Sequence, residues 1–492
     1  MSEVTEMIPA IVRSPALVEG CDHHLGGEPL AGIIAVQKWL DQGPVSLLRR
    51  QTLLGPGEGK SVSPFVIRAG DAEFGAQDRI ERTHIVDQVT SDLKGSRHRP
   101  DGTGRNTGLR CRLMNLKQRA KDAYESVDNE LRAISRWMYE NPELAYHEIE
   151  TSRRLAAFLA DHGFAVSLPA YGLDTSFEAR AGTTGPRVVV CVEYDALPGV
   201  GHACGHNIIA TSSLGAGVAV ADLANELGLR ITVLGTPAEE GGGGKIDLIN
   251  AGAFDDAAAS MLIHPSPRDL VDPRLLAAQG FEVTYRGKEA HAAASPHMGT
   301  NALDAFVNGY NGISTLRQQF EPSDRVHGII DEGGVAPNVI PAITRSRWIV
   351  RSATAERFEI LRDKVVSCFE AAALATGCAL EITYEGEPYI DLITNPVMAA
   401  LFQANSTTLG RDMPTRAETG IETSASSDMG NVSHLVPSIH PSIKIETESV
   451  NHQPEFAAAT ITASGEQAIR DGALAMAYTI IDMAEQSVWD RL

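Results

Sequence analysis

Two periodicities run along the chain. From Leu116 to Tyr139, apolar side chains recur every three or four residues, with Leu131, Ile134 and Met138 on one face, which predicts a long amphipathic helix. Asn141-Pro142-Glu143-Leu144 breaks it, because the residue before a proline is pushed out of the helical region. A second helix is expected over about Glu148–His162. Short apolar runs then alternate with helical stretches: strand Arg187–Val192, helix Ile208–Leu227, strand Arg230–Leu234, helix Lys245–Ala251 and strand Ala259–Ile263. This alternation predicts an α/β domain, a mostly parallel sheet covered by helices on both faces.

At about Leu276 the order changes. Strand Gly280–Tyr285, helix Asn301–Phe320, strands Val326–Asp331 and Arg345–Arg351, helix Ala355–Thr376 and strand Ala379–Tyr384 follow one another. The order β-α-β-β-α-β is that of a split-βαβ, ferredoxin-like α+β unit, here inserted into the larger domain. The expected boundaries are 114–275 for the first part of the larger domain, 276–388 for the insert and 389–492 for the second part. Residues 1–113 differ: Pro, Gly and charge recur, one short helix is expected near Leu30–Leu40, and Lys94–Arg105 has the composition of a disordered linker. This stretch is expected to be a dispensable extension, with Met114 a possible natural start.

Composition narrows the function. The chain has 492 residues, 43% hydrophobic and 21% charged, enough for large buried cores. Its net charge of −21, from 63 acidic against 42 basic residues, argues against nucleic-acid or acidic-membrane partners. No run reaches transmembrane length, and six cysteines in so long a chain are no disulfide framework. A cytoplasmic, reducing setting is the expectation.

The chemistry gathers just past the strand ends, where open α/β sheets hold their sites. Glu193-Tyr194-Asp195-Ala196-Leu197-Pro198 and His202-Ala203-Cys204-Gly205-His206-Asn207 follow the first apolar run. Pro237-Ala238-Glu239-Glu240, four glycines and Lys245 follow the second. His264 stands after the third. A thiolate, imidazoles and carboxylates suit a transition metal, with zinc the default. One of two adjacent carboxylates can bind metal while the other takes a proton from water; spacing does not say which. The glycines are not a phosphate loop, because Lys245 is followed by Ile246 rather than Ser or Thr.

These motifs resemble the dinuclear metallopeptidase and amidohydrolase superfamily of aminoacylases, carnosinases and glutamate carboxypeptidases, and within it the cysteine-containing branch. The likeness runs from about Met114 to the C-terminus and is nearest to β-alanyl-lysine type dipeptidases and aminobenzoyl-glutamate hydrolases. Asn207 fits the dipeptidase-like relatives; the auxin-conjugate hydrolases carry Asp there. The resemblance implies two divalent metals, zinc first and manganese or cobalt as alternatives. It implies Cys204, His206, Glu240, His264 and His452 as ligands, with Cys204 bridging. It also implies Glu239 as general base, Asp195 as orienter, and His291 as a polarising group that reaches a neighbouring subunit's site. Asn338 and Arg351 would touch substrate, Arg351 by holding its carboxylate.

The resulting expectation is a metal-dependent amidohydrolase, active as a homodimer on a dipeptide, N-acyl amino acid or aryl-amide conjugate. Two alternatives stand beside it: a non-catalytic binding protein on the same scaffold, and a hydrolase using Cys204 as nucleophile.

Overall fold

The computed structural model describes residues 104–421 and 425–492, with side chains from Arg112 onward. The helix expected near Leu30–Leu40 and most of the expected linker lie outside the described residues. Helix α1 spans Gly104–Glu140, so it begins before Leu116 and takes in the last two residues of that linker. Its buried positions Leu116, Ala120, Tyr124, Val127, Leu131, Ile134 and Met138 step by three and four, as a single apolar stripe requires. Helix α2 (Ile149–Asp161) follows.

Two short strands are not foreshadowed by any apolar period: β1 (Ala165–Ser167) and β2 (Glu178–Ala181). Then come β3 (Arg187–Val192), α3 (His206–Ala221), β4 (Arg230–Gly235), α4 (Gly244–Asn250), β5 (Ala257–Met261) and β6 (His264–Ser266). The expected helix to Leu227 is two helices, with a separate turn at Ala224–Leu227.

The inserted segment holds β7 (Ala277–Arg286), α5 (Ala302–Leu316), β8 (Arg325–Glu332), β9 (Ile343–Ser352), α6 (Ala355–Thr376) and β10 (Ala379–Tyr384). After it come α7 (Pro396–Thr408), β11 (Ser438–Ile439), β12 (Ser442–Lys444) and α8 (Ala463–Glu485).

The main sheet has the order β1-β2-β4-β3-β5-β11. Its β4, β3, β5 and β11 run parallel, and β1 and β2 add an antiparallel edge. Successive side chains of β3 enter different cores. Val188, Val190 and Val192 face α1, α3 and α8, while Val189 and Cys191 face α4 and the short helix Met429–Ser433. A strand buried on both faces needs a continuous apolar run, which is why Val188–Val192 carries no polar residue. The second sheet, β10-β7-β9-β8, is antiparallel throughout and packs α5 and α6 against one face around Phe281, Trp348 and Phe369. Residues 277–384 therefore form their own layer pair. The main sheet takes strands from both sides of them, since β11 pairs with β5, and β12 pairs with β6 in a separate parallel two-stranded sheet.

Candidate active site

Three strand ends and one distant turn meet at the site. The segment after β3 places Asp195 1% exposed. Asp195 accepts from His206 Nδ1 through its backbone oxygen at 2.8 Å and Oδ1 at 3.0 Å, and its Oδ2 accepts the Glu240 N–H at 2.9 Å. One carboxylate thereby fixes both the ring of His206 and the backbone of Glu240. With Nδ1 donating to Asp195, His206 turns Nε2 toward the site, where a metal would take its lone pair in place of a proton.

The loop after β4 is tightly folded. Ala238 has φ +60°, an unusual value for a residue with a side chain, and its N–H donates to the buried carboxylate of Glu148 at 2.9 Å. Gly243 has φ +75° and caps α4, while a Cβ on Gly244 would lie 1.9 Å from the Pro237 oxygen. These two glycines let the helix start directly beneath the turn that carries Glu239 and Glu240.

His452 arrives from the far end of the chain. Its N–H donates to the Ala203 oxygen at 2.8 Å, and Asn451 Nδ2 reaches the Cys204 and Pro265 oxygens at 3.3 and 3.1 Å. The Asn451-His452 turn is thus pinned to both the Cys204 loop and the His264 strand.

Three donor groups result among the described residues, each with its ligand atoms within 4.8 Å of one another: Glu193–His206–Glu239, and two that share a cysteine, Cys204–His206–His264 and Cys204–Glu240–His452. Cys204 belongs to both of the latter. Its Sγ lies 3.4 Å from His264 Nε2, and Glu240 Oε1 lies 3.5 Å from His452 Nε2 and 3.8 Å from His206 Nε2. Glu239 Oε2 stands 3.7 Å from His206 Nε2. The residues fit a pair of cations: buried His206 Nε2 and Glu240 Oε1 receive no hydrogen bond, and acceptors crowd together without donors. Electrostatics point the same way. Burial, then Glu193 and Glu240, hold the Glu239 carboxyl well above its ordinary range, and burial with Glu240 does the same to the Cys204 thiol. Burial pushes His264 down to about 3, so its ring is neutral and able to ligate.

The residues of the inserted segment do not join this cluster through any hydrogen bond or ion pair among the described residues. His291 is exposed and pairs with Val339, beside the exposed Asn338, whose oxygen accepts the Ala292 N–H at 3.0 Å. Its Nδ1 accepts from the Ala293 and Ala294 N–H groups at 3.2 and 3.1 Å, which leaves the proton on Nε2, a donor suited to an oxyanion. Arg351, half-buried on β9, donates to Ser426 Oγ at 2.8 Å, and burial lowers its pKa.

Several buried ionisable groups at the site were not singled out by sequence. Glu148, beneath Ala238, is pushed up to about 7, chiefly by burial. Lys245 is fully buried between Glu193 and Asp428. His440 stacks on His264 with ring centroids 5.3 Å apart, and neither of its nitrogens has a hydrogen-bond partner among the described residues. Only Lys245 lay in a conspicuous motif, where the glycines drew attention to the backbone instead.

The sequence profile of peptidase family M20/M25/M40 matches residues 189–480. The mouse protein "Xaa-Arg dipeptidase" is 38% identical over 399 residues, 78% of this chain and 92% of its own length. A p-aminobenzoyl-glutamate hydrolase polypeptide from Escherichia coli K12 is 30% identical over 306 residues, 58% of this chain and 64% of its own. Among solved structures, the YXEP protein of Bacillus subtilis, described as a dinuclear metal binding peptidase from the M20 family, superposes with a TM-score of 0.59 at 19% identity. That match covers 73% of this chain and 99% of the other, and it establishes the shared fold. Identity at this level across nearly the whole of a relative, with the family profile spanning both halves of the main sheet, means that the chain belongs to peptidase family M20/M25/M40 and is a hydrolase of amide bonds.

Proposed function

We propose that the protein is a dinuclear metallohydrolase that cleaves a dipeptide or N-acyl amino acid, with Glu239 as the proton carrier. The observation that supports it most is the sharing of Cys204 between two donor groups beside a buried carboxylate that belongs to neither. When bound, the two metal ions supply Lewis acidity for the attacking water and the scissile carbonyl. Cys204, His206, Glu240, His264 and His452 hold them, and Asp195 keeps His206 and the Glu240 backbone in place. Glu239, raised above the ordinary carboxylate range, takes a proton from the water and passes it to the leaving amine. The Nε2–H of His291 donates to the developing oxyanion, and Asn338 and Arg351 contact the substrate, Arg351 at its carboxylate.

His291 stands apart from the donor groups, so it serves a neighbouring chain's site. A homodimer through the inserted domain accounts for this. Edge strand β8 carries exposed Ile329 and Ile330, an apolar edge that suits pairing with a second copy. The described cysteines, Cys191, Cys204, Cys368 and Cys378, are free, which suits a cytoplasmic setting. No described helix is long and apolar enough to cross a membrane. Cys204 as a nucleophile is disfavoured, because its thiol is pushed up by burial, opposite to a reactive cysteine.

The mouse and human relatives are named Xaa-Arg dipeptidases, which makes dipeptides ending in arginine the first substrates to try. The test is metal analysis of wild type and Cys204→Ser, together with mass-spectrometric screening of the metal-loaded protein against dipeptides and N-acyl amino acids. About two ions in wild type, fewer in the variant and hydrolysis of one class are expected. Wild-type metal content in Cys204→Ser would remove Cys204 from the ligand set.

A further inference from the structure

A buried charge cluster that the proposed chemistry leaves unused lies against the His206 side of the site. Lys245, in the first turn of α4, is fully buried. Its Nζ lies 2.6 Å from Asp428 Oδ1 and 2.7 Å from Glu193 Oε1, and its backbone N–H donates to Asp428 Oδ2 at 2.9 Å. Asp428 alone therefore neutralises Lys245 and takes two of its contacts. Glu193, fully buried just past β3, is a second carboxylate on a single cation. An excess buried negative charge is costly unless another positive group faces it.

The second oxygen of Glu193 shows where that group belongs. Oε2 points at His206 Nε2, 3.6 Å away, and neither atom receives a hydrogen bond. His206 Nδ1 is already committed to Asp195, so Nε2 is the nitrogen that faces Glu193 and Glu239 Oε2, 3.7 Å distant, and a metal there would take its lone pair in place of a proton. Glu193 Oε2, His206 Nε2 and Glu239 Oε2 face one another, and Glu193, His206 and Glu239 each offer a ligand atom within 4.8 Å of the others. Two atoms each about 2.1 Å from a zinc ion stand roughly 3.4 Å apart at the tetrahedral angle, close to the Glu193–His206 separation.

We propose that Glu193 is a sixth protein ligand, a carboxylate on the ion held by His206, with Lys245 and Asp428 fixing it so that Oε1 is taken and Oε2 is left for the metal. The five residues assigned above do not include it. Lys245 acts as a positioning residue: it orients Glu193 and offsets the charge that a second carboxylate brings to the interior. The inference rests on the dinuclear reading of the site.

The test is metal affinity rather than turnover. Full-length, metal-free wild type and Glu193→Gln are titrated with Zn²⁺ against a chromophoric chelator, and their Co²⁺ absorption spectra are recorded. Wild type should take about two ions. In Glu193→Gln one ion should bind about 10- to 100-fold more weakly, the other should be unchanged, and the Co²⁺ ligand-field bands should shift while the thiolate charge-transfer band from Cys204 persists. If Glu193→Gln fails to fold, Glu193→Gln/Lys245→Met/Asp428→Asn removes all three charges without leaving one unpaired, and the same weakening is expected. Both ions bound at wild-type affinity with a wild-type cobalt spectrum would show that Glu193 is only a counter-ion of Lys245. A wild type that takes up no metal would overturn the dinuclear reading and this inference with it.

Discussion

Gly244→Ala is the sharpest test of how the site is positioned. Gly244 is the first residue of α4, where alanine is preferred to glycine by up to about 1 kcal/mol, so helix propensity alone predicts a neutral or slightly more stable protein. The added methyl, however, would stand 1.9 Å from the Pro237 oxygen and 2.9 Å from its carbonyl carbon, whereas real Cβ atoms essentially never approach within 3.0 Å. Helix and turn must separate by about 1.1 Å, the gap between 1.9 and 3.0 Å. Pro237 is the second residue before Glu239, and Ala238 between them is held at φ +60°, so the displacement passes to Glu239 instead of being absorbed. A misplacement of about 1 Å costs on the order of 10²-fold in rate, or about 2.7 kcal/mol of activation free energy. The assay is kcat and KM for whichever dipeptide or N-acyl amino acid the screen identifies, beside the melting temperature. A fall in kcat of about 100-fold is expected, with a lowered melting temperature, because relieving a backbone clash of this kind costs about 1–3 kcal/mol and outweighs the helix-propensity gain. Activity within about threefold of wild type would refute the claim that this close contact sets the position of Glu239.

Glu239→Gln should keep its metals and lose about 10²- to 10⁴-fold in kcat, whereas Glu240→Gln should lose metal; exchanged phenotypes on metal analysis would reverse the two roles. A chain starting at Met114 keeps Leu116 and the rest of the buried stripe of α1; among the described side chains it gives up the half-exposed Arg112–Glu485 pair and the partial packing of Leu113. Its melting temperature should stay within about 4 °C of full length by calorimetry. Mixing Glu239→Gln with His291→Ala should restore about a quarter of wild-type activity if His291 serves the partner's site, since half the dimers are mixed and each holds one intact site; no recovery after proven exchange would place His291 elsewhere. His202 is buried, its ring nitrogens have no hydrogen-bond partner among the described residues, and its pKa is pushed down to about 3, chiefly by burial. A histidine depressed by folding contributes fully above pH 6.5 and loses that contribution as pH falls toward its folded value, about 2 kcal/mol by pH 5. Metal-free His202→Gln should therefore lose less stability than wild type between pH 7 and pH 5 in urea melts.

The strands and helices with strong periods were readable from sequence. Val188–Val192 is a mainly β-branched apolar run of strand length, bounded by the motif that follows it, and the stripe from Leu116 to Met138 marks the buried part of α1. What escaped has no period. β2 is four residues long, Glu178–Ala181, and its charged members hide the alternation. The start of α1 at Gly104 falls in a glycine- and arginine-rich stretch that lacks apolar spacing. The site divides similarly. Cys204-x-His206 and Glu239-Glu240 could be seen because their neighbours in sequence are neighbours in space. His452 could be placed only by resemblance, because a turn held by Ala203, Cys204 and Pro265 brings it in from far along the chain. Glu148, Lys245 and Asp428 are single ionisable residues whose meaning lies in burial, and sequence does not show burial.

The pairing of β6 with β12 also sets a timetable for synthesis. His264 lies opposite Ser442, 178 residues later (442 − 264), and β5 meets its neighbour β11 at Ser438. At about 5–20 residues per second, a ribosome takes roughly 10–40 s to supply those strands after His264 has emerged. During that interval the growing sheet has an open edge at β5, and the imidazole of His264 has no partner strand to fix its direction. The inserted domain, whose strands all pair within residues 277–384, has what it needs to fold in that pause. The catalytic rim is therefore among the last parts of the molecule to form, and a nascent chain gathers its donor set only as the C-terminal segment docks.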